Sequence, residues 1–135
     1  MEEELRKFFK KDRYAGHAGI ELLEVSEGRA KARMKIEDYH LNALDIVHGA
    51  AIFTLADLVF AVASNSHGNI AMAINASISF LKAVRGGLLY ATAEEESRNP
   101  KLATYTVRVT NEENDLIAVF KGMVYRKKDS LPIES

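Results

Sequence analysis

Residues 49–63 constrain the fold of this chain more than any other stretch. They read Gly-Ala-Ala-Ile-Phe-Thr-Leu-Ala-Asp-Leu-Val-Phe-Ala-Val-Ala, apolar almost throughout, with one carboxylate, Asp57. The run is shorter than the about 20 residues a helix needs to cross a bilayer. As a helix it has no polar side to turn to water, so it predicts burial with cover all round. A carboxylate in such a setting is costly unless it is paired, hydrogen-bonded or protonated. One helical turn to either side of Asp57 stand Phe53, Thr54, Phe60 and Ala61, none of them a cation. Asp57 therefore either meets a distant partner, such as backbone or a buried Thr, or has a chemical task. Just upstream lie Asn42, Asp45, His48 and Gly49, at what reads as the entrance of the same helix.

The rest of the chain must supply the cover. The 135 residues fit one domain, 1–135, with a proper core. Hydrophobic residues make up 47% and charged residues 27%, a globular rather than a disordered composition. Residues 2–13 read as a short amphipathic helix, with Leu5, Phe8 and Phe9 on one face. Its basic cluster, Lys7, Lys10, Lys11 and Arg13, reads as a solvated face or an anion contact. From Ile20 the pattern becomes strand-like. Ile20 to Val25, a turn at Ser26-Glu27-Gly28, and the alternating Arg29 to Ile36 form a hairpin. Residues 37–47 form a loop, and the apolar helix spans about 48–64, closed by Asn65, Ser66 and Gly68. Strands follow at 70–81, 88–96, 103–110 and 116–126, and residues 127–135 are expected to fray. In the 70–81 strand, Ile70, Met72, Ile74, Ile78 and Phe80 share one face, expected to cover the helix. Asn75, Ser77 and Ser79 share the other, free to pack on a second dimer. The element order predicts an α+β architecture, a single curved antiparallel sheet wrapped around one long helix.

Several function classes recede on composition. The formal net charge of -1 argues against a general nucleic-acid binder. The absence of Cys excludes disulfides, thiolate metal sites and a cysteine nucleophile. The acidic start, Met1-Glu2-Glu3-Glu4, carries no secretory pattern, so a cytoplasmic enzyme or binding protein without membrane spans is expected. His17, His40 and His67 are scattered without metal-ligand spacing, and no cofactor is called for.

Order and residues together resemble a known family. The segment from His40 to Asp57, with Asn42, then His48-Gly49-Ala50, then Leu55-Ala56-Asp57, is similar to the hot-dog-fold thioesterases of the phenylacetate-degradation type. Phe60 to Ser66 and Ile78 to Ala83 extend the likeness, which covers roughly residues 15–126. The resemblance implies an acyl-CoA thioesterase that hydrolyses an acyl-CoA, aryl or phenylacetyl among the candidates, to free acid and CoA. It implies the Gly49 N–H as oxyanion donor, His48 and Asn42 as residues that orient thioester and water, and Asp57 as general base or nucleophile. Chemistry agrees: free N–H groups at a helix start, with the dipole's partial positive charge, suit a developing oxyanion. Lys82 and Arg85, beside Gly86-Gly87, suit CoA phosphates. Two departures stand out: Ala50 replaces the second Gly of the family's His-Gly-Gly, and Ala73 stands where some relatives carry a hydroxyl.

Gly49 and Asp57 are eight residues apart, so about 12 Å along the helix axis. One thioester carbonyl cannot touch both in a single chain. The reading therefore implies a homodimer with shared active sites, and a tetramer if a second dimer packs on the Ser77 face. Two other readings stand beside it. One is a hot-dog hydratase or dehydratase using His48 with Asp45. The other is a non-catalytic acyl-CoA-binding oligomer.

Overall fold

The computed structural model describes residues 1–133. Its sheet has six antiparallel strands: β1 (Ile20–Ser26), β2 (Arg29–Lys35), β3 (Asn69–Phe80), β4 (Leu88–Arg98), β5 (Leu102–Thr110) and β6 (Leu116–Ser130). They lie in the order β1-β2-β4-β5-β6-β3. The long helix α3 (Gly49–Asn65) lies in the concave face. This is the hot-dog architecture expected, with short helices at the N-terminus.

Small residues explain how closely the helix sits. Ala30 opposes Ala93 and Ala32 opposes Ala91, giving rows of methyl groups under α3 with no solvent exposure. At Gly122 of β6 a Cβ would fall 2.6 Å from the Phe60 ring, so only glycine lets that buried ring pack there. Bulges interrupt β1 between Leu22 and Glu24, β3 between Ala73 and Asn75, and β4 between Glu95 and Ser97. Bulges sharpen local bend and twist, which a sheet needs to curl around a helix.

Four sequence expectations change. The helix expected over 2–13 is two helices, α1 (Glu2–Phe9) and α2 (Arg13–His17). Asp12 breaks it: its Oδ1 accepts the Ala15 N–H at 3.0 Å and caps α2. Next, the helix is not covered on every side, for Ala50, Phe53 and Asp57 are exposed along one face of α3.

The third change concerns β3. Ala73 opposes Val124, yet after the bulge Ala76 opposes Gly122, Ile78 opposes Phe120 and Phe80 opposes Ala118. Directly opposed residues share a face, and Val124, Phe120 and Ala118 are buried. The inward phase therefore switches from odd to even positions near Ile74. Met72 joins Asn75, Ser77 and Ser79 on the outer face rather than covering the helix. β3 is also an edge strand, paired only with β6 among the described strands, and Met72, Ile74 and Phe80 are exposed. Last, the tail expected to fray from 127 continues β6 to Ser130, where Asn69 pairs with Ser130 and Leu131 is buried. The final two residues of that expectation lie outside the described residues.

Candidate active site

The loop before α3 is built by its own polar groups. Asn42 Oδ1 accepts the N–H groups of Leu44 (2.9 Å) and Ile46 (3.3 Å), while the Asn42 N–H donates to Ile46 O at 2.8 Å. Asp45 takes φ 58, the left-handed conformation that Asp tolerates in a tight turn. His40, buried, ends the 3-10 turn Asp38–His40. Its Nδ1 accepts the Glu37 N–H at 2.9 Å and its Nε2 pairs with Ala18 O at 2.7 Å. The His48 N–H then donates to His40 O at 2.7 Å. These bonds place His48 and Gly49 at the start of α3.

The helix start leaves one donor over. His48 is the N-cap: its Nδ1 accepts the Ala50 N–H at 3.0 Å. Accepting at Nδ1 leaves the ring proton on Nε2. The N–H groups of Ala51 and Ile52 both go to His48 O, at 2.9 and 3.3 Å. Among the described residues the Gly49 N–H has no acceptor. It is an orphan donor of the kind every helix start offers, here at the positive end of a 17-residue helix. A Cβ at Gly49 would lie 3.0 Å from the Phe80 ring.

Asp57 stands two turns further on. Gly49, Ala50, Phe53, Thr54 and Asp57 line a groove of about 580 Å³ on the open face of α3, with Tyr14 and Phe80 at its sides. Among the described residues the Asp57 carboxylate has no hydrogen bond or ion pair. Its apolar setting, and after that the negative charge of Asp12, push its carboxyl above the usual carboxylate range. Asp57 is nonetheless exposed in the single chain. The two facts agree if apolar walls limit its hydration without closing over it.

Gly49 and Asp57 thus share one groove, and His48 adjoins it in a second chamber. Asn42 lines neither; its oxygen builds the turn, and its amide nitrogen makes no hydrogen bond among the described residues. No hydrogen bond joins His48 to Asp45, the pair the dehydratase reading would use; His48 Nδ1 accepts the Ala50 N–H instead. Lys82 is paired with Asp115 at 2.7 Å, and Arg85 donates to Leu44 O at 3.3 Å. Asn65 and Ser66 close the helix as expected, Ser66 as its C-cap. Sequence reasoning missed Tyr14, Phe53, Thr54 and Phe80 as groove residues. Phe53 and Thr54 follow from Asp57 by helical spacing (i−4 and i−3). Tyr14 and Phe80 carry no local signal, because distant elements bring them there.

Comparison with known proteins agrees with this architecture. The model of the thioesterase superfamily matches residues 44–118, more than half of the chain. Acyl-coenzyme A thioesterase PaaI of Escherichia coli K12 is 32% identical over 119 residues, 87% of this chain and 85% of that protein. A protein of Archaeoglobus fulgidus, described as a candidate esterase, is 46% identical over 125 residues, 92% of this chain and 81% of that protein. The solved structure of the E. coli PaaI protein from the phenylacetic acid degradation operon superposes with a TM-score of 0.90 at 29% identity, covering 95% of this chain and 94% of that one. Fold and relatives together define a thioester hydrolase of hot-dog architecture. The chain belongs to the thioesterase superfamily.

Proposed function

We propose that this protein hydrolyses acyl-CoA thioesters to the free acid and CoA at sites shared between two copies of the chain. The observation that carries the reading is the Gly49 N–H, left without an acceptor at the start of α3, on the same open groove as an unpaired Asp57. The thioester carbonyl oxygen docks on the Gly49 N–H, where the helix dipole stabilises the oxyanion. Asp57 of a second copy takes a proton from water as the water oxygen attacks the carbonyl carbon. The C–S bond then breaks, and sulfur leaves with that proton as the CoA thiol. Direct attack by the carboxylate, with hydrolysis of the resulting anhydride, yields the same products. A raised Asp57 carboxyl is the stronger base for the first route. His48 orients the thioester through its Nε2–H, and Asn42, which lines neither hollow of its own chain, acts through the turn that sets His48 and Gly49 in place. An aryl group of the phenylacetyl type suits the aromatic residues around the start of α3, Tyr14 and Tyr39 among them.

Two surfaces support the pairing. β3 offers an unpaired strand edge, and α3 offers an exposed face bearing Ala50, Phe53 and Asp57. An edge of this kind invites a neighbouring strand, and a two-fold axis there lays one open helix face over the other. The outer face of Met72, Asn75, Ser77 and Ser79 then takes a second dimer, giving a tetramer.

Mixing subunits tests the shared site. Asp57→Asn chains combined with His48→Ala chains, each nearly inactive alone, form mixed dimers in which one site carries both lesions and the other neither. Thiol release should recover to about half per mixed dimer, as expected for a positioned constellation that acts independently. Mixed dimers that form and stay inactive place the site within one chain.

A further inference from the structure

Beyond the catalytic groove, two other hollows meet the start of α3. One, of about 340 Å³, lies beside His48 and Ala51 and is walled by Tyr14, Tyr39, His40 and Thr54. The other, of about 330 Å³, shares Gly49 and Phe80 with the groove and runs past Leu81, Lys82 and Val84. A thioester held at Gly49 has two arms, and each needs a path. The CoA arm carries several phosphate charges. The only Lys or Arg lining either hollow is Lys82, in the second, and Arg85 follows just beyond. Charge therefore sends CoA past Lys82, whose exposed pair with Asp115 is weak enough to exchange for a phosphate. The acyl arm is left with the chamber beside His48.

One wall of that chamber is firmly held. Its back is fixed by His40, whose two ring nitrogens are both engaged, one of them with Ala18 O at the end of α2. The Tyr39 ring packs on His40 with centroids 4.3 Å apart. At about 340 Å³ it stands at the small end of ligand pockets, which run from about 300 to 1,000 Å³. The remaining side is Tyr14. Together with Ala50 and Thr54, it borders both the chamber and the catalytic groove. Tyr14 is 71% exposed in the single chain, and its hydroxyl makes no hydrogen bond among the described residues.

We propose that the chamber beside His48 is the acyl subsite, and that Tyr14 is a specificity-determining residue that limits it to compact acyl groups. This rests on the thioesterase reading and adds to it the direction in which the substrate lies and the residue that selects it. Removing the phenol joins chamber and groove into one longer space. Placing a larger side chain at Ala51 fills the chamber without touching the Lys82 path.

The test is kcat/KM by thiol release for acetyl-, phenylacetyl- and decanoyl-CoA, with oligomeric state followed by sedimentation. Wild type should favour phenylacetyl over decanoyl. Tyr14→Ala should shift that ratio toward decanoyl by at least about tenfold, since a few added methylenes in an apolar site are worth that much. Tyr14→Phe should leave the ratio alone. Ala51→Leu should depress phenylacetyl-CoA turnover at least about tenfold more than acetyl-CoA turnover. An unchanged ratio in Tyr14→Ala, or an Ala51→Leu enzyme slowed equally on all three, overturns the assignment. The same ratios are measured calorimetrically with non-hydrolysable thioether analogues of the three ligands. If wild type releases no thiol from any substrate, the hydrolase reading fails, and the binding ratios still decide the chamber.

Discussion

At the C-terminal end of α3 the polar side chains are matched inside the protein; at its N-terminal end the groups of greatest chemical interest are not. Asn65 donates to Ala61 O at 2.8 Å and accepts the Ala71 N–H at 2.9 Å, tying the helix to the start of β3. Ser66 Oγ donates to Ala63 O at 2.6 Å and accepts the Gly28 N–H at 2.7 Å, tying it to the β1–β2 turn. His67 Nε2 and the buried Tyr105 hydroxyl both meet Glu95 Oε1, at 2.8 and 2.7 Å. Two turns from the other end, Asp57 has no such partner, and the Gly49 N–H has none either. Buried polar groups cost stability unless matched, so the C-terminal end is what a structural network looks like. Unmatched groups on an open groove have the opposite character, and the proposed hydrolysis gives them a use. His67, a scattered histidine in the sequence, proves structural; Asp57 has no partner among the described residues.

The largest effect should separate the ends by activity. Asp57→Asn keeps the volume and removes the carboxylate that the proposed mechanism uses as its base, so kcat should fall at least about 100-fold. Its melting temperature should hold or rise, because a poorly hydrated charge is gone. Unchanged turnover on a confirmed substrate breaks the contrast. Next comes stability at the other end. Tyr105→Phe leaves Glu95 with one hydrogen-bond donor fewer in a part-buried site, which should cost about 1–3 kcal/mol in urea titration. Activity per folded molecule should stay within about twofold, since the ring keeps its packing. A Tyr105→Phe enzyme that loses activity at full stability reverses the assignment of roles.

The smallest and sharpest effect is in pH. Burial works to raise the Glu95 carboxyl, but hydrogen bonds from Tyr105 and His67, then the charges of His67 and Arg98, outweigh it and hold it below the usual range. A depressed carboxyl contributes stability above its unfolded value, lost as pH falls through its folded value. Asp57 is raised, so its sign is opposite. The charged form costs stability at neutral pH, and that cost disappears as pH falls through its folded value. Acid should therefore narrow the stability gap between wild type and Glu95→Gln, and also the gap between wild type and Asp57→Asn, from the other side. Activity should fall on the acid side with a midpoint above the ordinary Asp value of about 3.9. Parallel urea titrations and kcat/KM profiles across acid pH show both, and gaps that do not move with pH refute the two shifts.

Much of the fold was legible because its signals are local. An apolar run of helical length, an alternating hairpin and glycine-marked turns each act within a few residues, and their order narrows the architecture to a sheet around a helix. His48, Gly49 and Asp57 were legible for the same reason, since helix periodicity alone puts the last two on one stretch of helix. The break at Asp12 was missed because a side-chain cap offsets the helical pattern around it. The facing of β3 was missed because one bulged residue inverts every side chain beyond it, and only the register against β6 reveals the bulge.

The sequence by itself determined the elements, the helix-start donor and the lone carboxylate, because these depend on neighbours along the chain. Only the tertiary structure decided which face of α3 stays open, that β3 is an edge, that His40 anchors the loop before α3 to the end of α2, and that Tyr14 and Phe80 flank the groove. Those facts join residues tens of positions apart. They follow from how far a curved sheet reaches around a helix, which is a property of the whole packed core and of no single segment.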